Sequence, residues 1–153
     1  MRISAKSDYA VRAAVVLAVE SEHEATTADA IARSQDIPLK FLLNILNDLK
    51  RARIVASHRG PHGGYHLARP PEKITVADVI RAIEGPLASV HEIPPERVEY
   101  PPPAQALQQV WIAVRASLRS VLEEVTIADL ASGKLPKAVR SLAASPEAWS
   151  ARA

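Results

Sequence analysis

Three histidines spaced four residues apart, His58, His62 and His66, lie in a segment that holds three of the five glycines of the chain. Imidazole binds metal ions and acts as a general base, so this spacing could serve a metal site or a catalytic centre. The same segment contains two arginines and no acid between positions 58 and 69. It could therefore be a basic hairpin that contacts a phosphate backbone instead. The flanking elements decide between these alternatives.

The composition limits the available chemistry. None of the 153 residues is a cysteine, which excludes disulfides, thiol nucleophiles and cysteine-ligated iron–sulfur clusters. The length indicates one domain, or one domain with a small appendage. No phosphate-binding loop or nucleophile elbow is present, so we do not expect an enzyme. There is no signal peptide and no apolar run long enough to span a bilayer, so we expect a cytoplasmic protein without a membrane partner.

Charge is segregated along the chain, although the net charge is only +2. No acid occurs from Leu49 to Pro71. A solvated charged face usually mixes both signs, whereas a basic patch on a near-neutral protein is typical of a surface that meets nucleic acid. The basic residues of this range are Lys50, Arg51, Arg53, Arg59 and Arg69.

The segment before the basic patch has the pattern of a helix-turn-helix motif. Ser4 is expected to cap a first helix, and Thr26 with Asp29 resembles a capping box for a short helix over residues 27–34. A third helix is predicted from Pro38 to Ala52, with an apolar stripe and a polar stripe on opposite sides. The apolar stripe is Leu42, Ile45, Leu46 and Leu49, and the polar stripe is Lys40, Asn44, Asn47 and Arg51.

The polar stripe of the third helix has a chemistry suited to base recognition. Asparagine is a poor helix former, but its side chain can bind the edge of adenine with two hydrogen bonds in the major groove. Lysine and arginine can reach guanine or phosphate. The alternative is an ordinary amphipathic helix. Two short helices joined by a tight turn favour the helix-turn-helix interpretation.

Two β-prone runs, residues 54–58 and 65–68, flank the turn RGPHGG and predict a hairpin. A hairpin directly after a helix-turn-helix is a wing. In a strand, we expect His66 to share its face with neither His62 nor a fixed partner, and no acid or thiol lies nearby to complete a metal site. The histidines are therefore interpreted as wing residues.

The second half of the chain is expected to provide a dimer contact. After a helix capped by Thr75 and ended by Gly85, residues 86–103 are rich in proline and acid and are predicted to be an extended, mobile loop. A long helix is predicted from Ala104 to Val125, with an apolar stripe longer than one small domain can cover. We expect a second copy to cover it, and packing on the first helix is the alternative. The stripe is Leu107, Val110, Trp111, Val114, Leu118, Val121, Leu122 and Val125.

These elements predict a mainly α-helical fold with a small β-hairpin wing, that is, a winged helix-turn-helix with a long dimerisation helix. The expected organisation is a DNA-binding domain over residues 1–85, a proline-rich loop over 86–103, dimerisation helices over 104–133 and a tail without a clear pattern over 134–153.

Four segments carry a combined motif: KSDYAVRA, IPLKFLLNILNDLKRARIV, RGPHGGYHLARPPEKITVADVIRAIEGPL and WIAVRASLRSVLEEVTIADLA. Together they resemble the Rrf2 family of bacterial winged-helix transcription regulators, over roughly residues 1–133. The resemblance implies a homodimer that binds double-stranded DNA and regulates promoters, with a repressor as the first expectation. The expected DNA contacts are Arg2, Lys6, Tyr9, Leu39, Lys40, Asn44, Asn47, Arg51, Arg59, Gly60, His62, Gly63, Gly64 and Tyr65.

The chain departs from the family pattern where relatives hold an iron–sulfur cluster. Those relatives carry cysteines in the loop before the long helix, and some also use a residue that matches Asp8. No cluster and no other cofactor is expected here, and Asp8 is expected to act as a favourable charge near a helix N-terminus. Leu43 stands where relatives often have a polar residue, so the operator need not match theirs. Two alternatives stay open: a small-molecule effector beneath the loop and Trp111, and a winged-helix module that binds proteins without operator preference.

Overall fold

The structure is a computed structural model that describes residues 2–20 and 25–151, and this part of the chain contains seven α-helices and one β-hairpin. The predicted fold class, mainly α-helical with a small hairpin, is confirmed. The break predicted after the first helix falls on residues 21–24, outside the described residues. The elements are α1 (Ala5–Glu20), α2 (Ala28–Gln35), α3 (Leu39–Arg51), β1 (Val55–His58), β2 (Gly64–Leu67), α4 (Val76–Glu84), α5 (Leu107–Leu122), α6 (Ile127–Ser132) and α7 (Lys137–Ala143).

Local capping signals set the beginnings of α1 and α4 as predicted. The Ser4 hydroxyl accepts a hydrogen bond from the backbone N–H of Ser7 at 3.0 Å. Thr75 and Asp78 form a capping box, in which each side chain accepts from the other residue's backbone N–H at 3.1 Å. These bonds pair N–H groups that the first turn of a helix leaves without an intrahelical partner.

The cap of α2 differs from the prediction by one residue. Thr27 is the N-cap, and its hydroxyl accepts from the N–H of Ala30 at 3.2 Å. Thr26 cannot cap the helix because its backbone pairs with Tyr65 of β2 in an antiparallel bridge. The prediction of a Thr26 capping box is therefore wrong, and the reason is a contact between segments distant in sequence.

One aliphatic core supports α3. Leu42, Ile45, Leu46 and Leu49 are fully buried, which confirms the predicted apolar stripe. Each such side chain contributes roughly 1.5–3 kcal/mol relative to an exposed one. The stripe meets α1 and a cluster that includes Ala10, Ala13, Ala14, Leu17, Ile31, Ile54, Ile74, Val79 and Ile127. The core thus holds α3 with one side inward and the opposite side free.

The long helix is shorter than predicted at both ends, since α5 covers Leu107–Leu122 rather than Ala104–Val125. At its C-terminal side the backbone carbonyl of Val125 accepts from the N–H of Val76 at 2.9 Å, and the N–H of Ile127 donates to Ile74 at 2.8 Å. Val125 is only 5% exposed and lies outside the helix. It therefore packs within its own chain and does not extend the stripe of α5.

Short helix α6 returns to the core formed by the first 85 residues. A capping box at Thr126 and Asp129 begins it, and Ile127 is fully buried against α1. The predicted end of this helix at Gly133 is confirmed. Because α6 follows α5 and packs against α1, it holds the C-terminal end of α5 close to the core.

The segment 86–103 was predicted to be extended, but it consists mainly of turns, with a short 3-10 helix at Pro95–Arg97 and a bridge between Val90 and Ile93. Polar side chains of α5 also contact it. Three residues at positions i, i+3 and i+7 of the helix make these contacts, which the prediction of a mobile loop did not anticipate. The contacts are Gln108 Nε2 to the carbonyl oxygen of Val98 (2.8 Å), Trp111 Nε1 to Tyr100 Oη (2.9 Å) and Arg115 Nη1 to Glu96 Oε2 (2.5 Å).

The C-terminal segment contains two elements that the sequence pattern did not predict, the helix α7 and a 3-10 helix at Pro146–Trp149. α7 begins directly after Pro136, whose fixed φ suits a helix start. Trp149 Nε1 donates to the carbonyl oxygen of Ala143 at 2.5 Å and caps the end of the helix. Across residues 2–20 and 25–151, no helix is long and apolar enough to cross a membrane.

Candidate nucleic-acid interface

The polar stripe of α3 faces solvent. Lys40, Asn44, Asn47 and Arg51 are all exposed. In the part of the chain that the structure describes, neither asparagine amide is used in an intramolecular hydrogen bond. Because the opposite side of α3 is fixed in the core, the four side chains project from a rigid support. Such an arrangement leaves the amides available for a ligand.

The one acid of α3, Asp48, is neutralised by two cations. Its carboxylate lies 2.7 Å from Lys6 Nζ and 3.2 Å from Arg51 Nη1. The exposed face of α3 therefore carries no uncompensated negative charge. Arg51 remains largely exposed and keeps free donors, whereas the ammonium of Lys6 is directed at Asp48. Lys6 thus has a structural role in joining α1 to α3, in addition to the DNA contact predicted for it.

A basic groove separates the end of α3 from the hairpin. It has a volume of about 670 Å³ and is lined by Lys50, Arg53 and Arg69 together with β1 residues. Sequence reasoning placed these three cations in the acid-free range but did not select them as site residues. The sequence did contain a signal for two of them: Lys50 lies in the last turn of α3 and Arg53 lies just after the helix, so both cations are near its C-terminal end. The groove extends the positive surface from α3 to the hairpin.

Backbone hydrogen bonds join the hairpin to the segment that precedes α2. Tyr65 and Thr26 exchange both backbone hydrogen bonds, at 2.8 and 2.9 Å. This close approach is possible because position 64 has no side chain: a Cβ on Gly64 would lie 2.7 Å from the carbonyl carbon and oxygen of Thr26, at a φ of +155°. The predicted need for glycine in the wing has here a specific steric cause.

We expect Gly64→Ala to destabilise the protein by roughly 2–4 kcal/mol, because the new methyl must displace backbone and the φ value is strained. Gly60→Ala is the matched control, since a Cβ there meets nothing within 4 Å although φ is also positive, +111°. Urea denaturation of both variants measures the difference. Equal losses for the two variants would show that the contact with Thr26 has no energetic weight.

The three histidines do not converge on one point. The rings of His58 and His66 stack with centroids 4.5 Å apart and planes 10° apart, because the two residues are diagonal neighbours across β1 and β2. The expectation that His66 has no fixed partner on its face is therefore wrong. His62 lies in the exposed turn. Among the described residues, no group of three or more His, Cys, Asp or Glu side chains could hold a metal ion.

Tyr9 and Arg2, which were predicted to contact DNA, have neighbours that suggest other roles. The ring of Tyr9 packs edge-on against Phe41, with centroids 5.7 Å apart, and the guanidinium of Arg12 lies 5.2 Å from its centre. Tyr9 thus helps to position α3 on α1. Arg2 lines a cavity next to α5. The predicted contacts of α3, and those of the turn from Arg59 to His62, are exposed, whereas Arg2 borders the cavity instead.

The cavity beside α5 has a volume of about 830 Å³ and lies between the start of α1, the end of α4 and residues 85–91. Its polar side contains Glu84, whose carboxylate Oε1 accepts from Ser7 Oγ at 3.0 Å and also from Ser4 Oγ. These hydroxyl hydrogen bonds, chiefly the one from Ser4, lower the pKa of Glu84. Its apolar side contains Trp111, Val114, Leu118 and Leu122 of α5.

The chain is similar to known transcription regulators. The model of the Rrf2 family, described as an iron-dependent transcriptional regulator, matches residues 3–133. A protein of Mycobacterium tuberculosis strain CDC 1551, named as an HTH-type transcriptional regulator, is 52% identical over 143 residues, which cover 94% of this chain and 89% of that protein. The HTH-type transcriptional regulator CymR of Bacillus subtilis is 34% identical over 132 residues, covering 86% of this chain and 91% of CymR.

Solved structures show the same similarity. The structure of CymR, described as the global cysteine regulator of B. subtilis, superposes with a TM-score of 0.73 at 33% identity and covers 87% of this chain and 98% of CymR. The structure of T. potens IscR has a TM-score of 0.69 at 29% identity and covers 100% of this chain and 94% of that one.

The residues of this chain do not fit an iron–sulfur cluster, although the description of the family model names iron. No thiolate is available, because the sequence has no cysteine. Around the cavity beside α5, the titratable donors are Glu84 and His91, and the Glu84 oxygen Oε1 is already occupied by two serine hydroxyls. Such a donor set cannot replace the thiolates that a cluster requires.

Proposed function

This chain belongs to the Rrf2 family of transcriptional regulators, and from that premise we propose that it is a homodimeric repressor, not an enzyme, that binds a specific DNA operator without an iron–sulfur cluster. One observation carries the proposal: the polar stripe of α3 is exposed with two free asparagine amides, and a groove with three cations lies between the end of α3 and β1 of the hairpin. The paired Asp48 carboxylate leaves this surface without a repulsive charge.

We assign different tasks to the two parts of the interface. In the major groove, Asn44 and Asn47 bind base edges, with adenine as the base whose N6 and N7 match an amide. At the hairpin turn, Arg59 meets phosphate or a narrow minor groove, where charge matters more than base identity. The basic groove of Lys50, Arg53 and Arg69, between the end of α3 and β1, offers further positive charge to the backbone phosphates.

We expect Arg59→Ala to weaken binding to every DNA sequence alike and to lower the slope of log K against log salt by about 0.9, the value for one phosphate contact. Arg140→Ala is the matched control, because it removes the same charge from an exposed position on α7. Titrations at several salt concentrations measure both slopes. An unchanged slope for Arg59→Ala would show that Arg59 makes no phosphate contact, and it would contradict a DNA-binding role for the wing.

The homodimer is proposed because no residue of α5 is fully buried by its own chain. Val110 of the stripe is 50% exposed, and a large cavity borders Trp111, Val114, Leu118 and Leu122. An apolar helix with open space beneath it favours a second copy as cover. A two-fold dimer would place two α3 helices on half-sites about one helical turn apart, or a multiple of it.

A protein without a cluster should lack the visible absorption that thiolate–iron charge transfer produces near ~400 nm. We expect anaerobically purified protein to show no such band, no stoichiometric iron, and operator binding unaffected by a chelator. Stoichiometric iron with a visible band would contradict the proposal, and an iron content that scales with operator binding would do so independently.

A small-molecule effector is the second candidate, and the cavity beside α5 favours it. The cavity combines an apolar side with one carboxylate, Glu84, and one guanidinium, Arg2. Leu87→Trp would fill part of this space. If an effector acts there, native mass spectrometry of gently purified protein should show a bound small molecule that Leu87→Trp lacks. A wild type that carries no bound small molecule would count against this candidate whether or not it binds its operator, because a repressor can bind its operator without an effector.

Repression is tested with DNA that the protein itself selects from a random library. The selected sequence is placed over the start of a reporter promoter, with a scrambled copy as control. We expect the protein to lower expression only from the promoter with the selected sequence. Activation of that promoter would overturn the repressor assignment, while equal expression from both promoters would overturn operator-specific regulation.

A further inference from the structure

Two leucines of α3 project toward solvent although the helix has a complete apolar stripe on its other side. Leu39 and Leu43 are each 40% exposed, whereas the four stripe residues are fully buried. Neither leucine belongs to the core cluster or to the apolar side chains packed against it. Exposed Phe41 differs from them, because its ring contacts Tyr9. The two leucines are therefore not needed to hold α3 in the fold.

The positions of these leucines relate them to the polar stripe. Leu39 and Leu43 are one helical turn apart, and Asn47 continues the same row one turn further. Lys40 and Asn44 follow the two leucines directly in sequence and lie on the polar stripe beside them. A ligand surface that receives the amide of Asn47 would therefore also lie against Leu43.

Charge around the leucine pair favours an anionic ligand. Asp48 is held by Lys6 and Arg51, and the groove at the end of α3 is lined by Lys50 and Arg53. An apolar protein partner would have to remain beside these cations, whereas DNA supplies phosphates for them. The ligand must therefore combine phosphates with local apolar groups.

The major groove of DNA offers one such apolar group at base edges, the C5-methyl of thymine. We infer that Leu39 and Leu43 contact thymine C5-methyl groups, so that each half-site carries thymine beside the base bound by Asn47. The inference rests on the proposed function and deepens it, because it states which base the apolar positions of α3 select. Leucine has no hydrogen-bonding group, so these contacts would discriminate by the methyl alone.

Replacing thymine with deoxyuridine tests the methyl group separately, because uracil keeps the same pairing and hydrogen-bonding groups. Each thymine of the selected operator is replaced in turn, and affinity is measured at constant salt. Loss of one buried methyl should lower affinity about fourfold per half-site, and roughly fifteenfold when both symmetric half-sites are changed. Replacement of thymines outside the half-sites serves as the DNA control.

Protein variants connect the effect to the leucines. Leu43→Ala should bring the ratio of thymine to uracil affinity near one at the thymine that Leu43 contacts, and the double variant with Leu39→Ala should do so at every half-site thymine. Leu43→Met should keep most of the ratio, because its side chain remains apolar. Leu142→Ala removes a leucine that is 59% exposed on α7 and should leave the ratio unchanged. Thermal unfolding checks that each variant is folded.

The outcomes separate this inference from the proposed function. If wild type prefers its operator over a scrambled duplex but no uracil substitution changes affinity, the inference is overturned and the proposed function stands. The inference also fails if both leucine variants keep the wild-type ratio. If wild type does not distinguish operator from scrambled DNA, the proposed function itself fails, and the inference with it.

Discussion

Replacing Val114 and Leu118 of α5 with glutamate should convert the protein into monomers or aggregates and lower operator affinity by about 100-fold or more. Two carboxylates would be placed at an apolar contact without partners, which costs several kcal/mol. A monomer then binds one half-site and loses the gain of roughly 10²–10⁴ that a linked second site provides. Light scattering and operator titration of the same samples measure both effects.

The matched control for this variant carries the same two charges on the other side of α5. Gln109 and Ala116 are exposed and lie roughly half a helical turn from the apolar stripe. Gln109→Glu with Ala116→Glu should keep the dimer and its affinity. An intact dimer of Val114→Glu with Leu118→Glu, or a wild-type monomer at micromolar concentration, would refute the dimer contact proposed for α5.

Asn44→Ala and Asn47→Ala should each reduce discrimination between the operator and single-base variants by roughly 1–3 kcal/mol at one or two positions, the cost of a lost bidentate contact. Affinity for scrambled duplexes should change little, because the phosphate contacts remain. Titration of each variant against a complete set of single-base operator variants shows which positions lose discrimination.

Stability should be unaffected by either asparagine substitution, because both side chains are exposed and make no hydrogen bond within the described residues. Gln105→Ala, which removes an exposed amide before α5, is the control and should leave every ratio unchanged. If Asn44→Ala and Asn47→Ala weaken binding to all duplexes equally, the asparagines contribute positioning rather than base recognition.

The helices and the hairpin were predictable because their signals are local. The apolar spacing of Leu42, Ile45, Leu46 and Leu49 follows the helical period, and burial of all four confirms it. Ser4 and the Thr75 capping box act within a few residues of themselves. The exposed face of α3 follows from the same periodicity, which is why the candidate recognition surface could be inferred without coordinates.

The features that sequence did not predict depend on contacts between distant segments. Thr26 pairs with Tyr65 and leaves the α2 cap to Thr27. The end of α5 is set by the bond between Val125 and Val76. His58 stacks on His66 because of the register in which β1 and β2 pair. The composition of the five-residue turn does not determine that register, so the stacking could not be predicted.

The most direct measurement is the affinity of wild-type protein for its selected operator and for a scrambled duplex of the same composition, at one physiological salt concentration. A sequence-specific regulator should prefer the operator by about 10³-fold or more, and the preference should fall for Asn44→Ala but persist for Arg59→Ala. Equal affinity for the two duplexes would contradict operator recognition by α3 and favour a winged-helix module that binds other proteins.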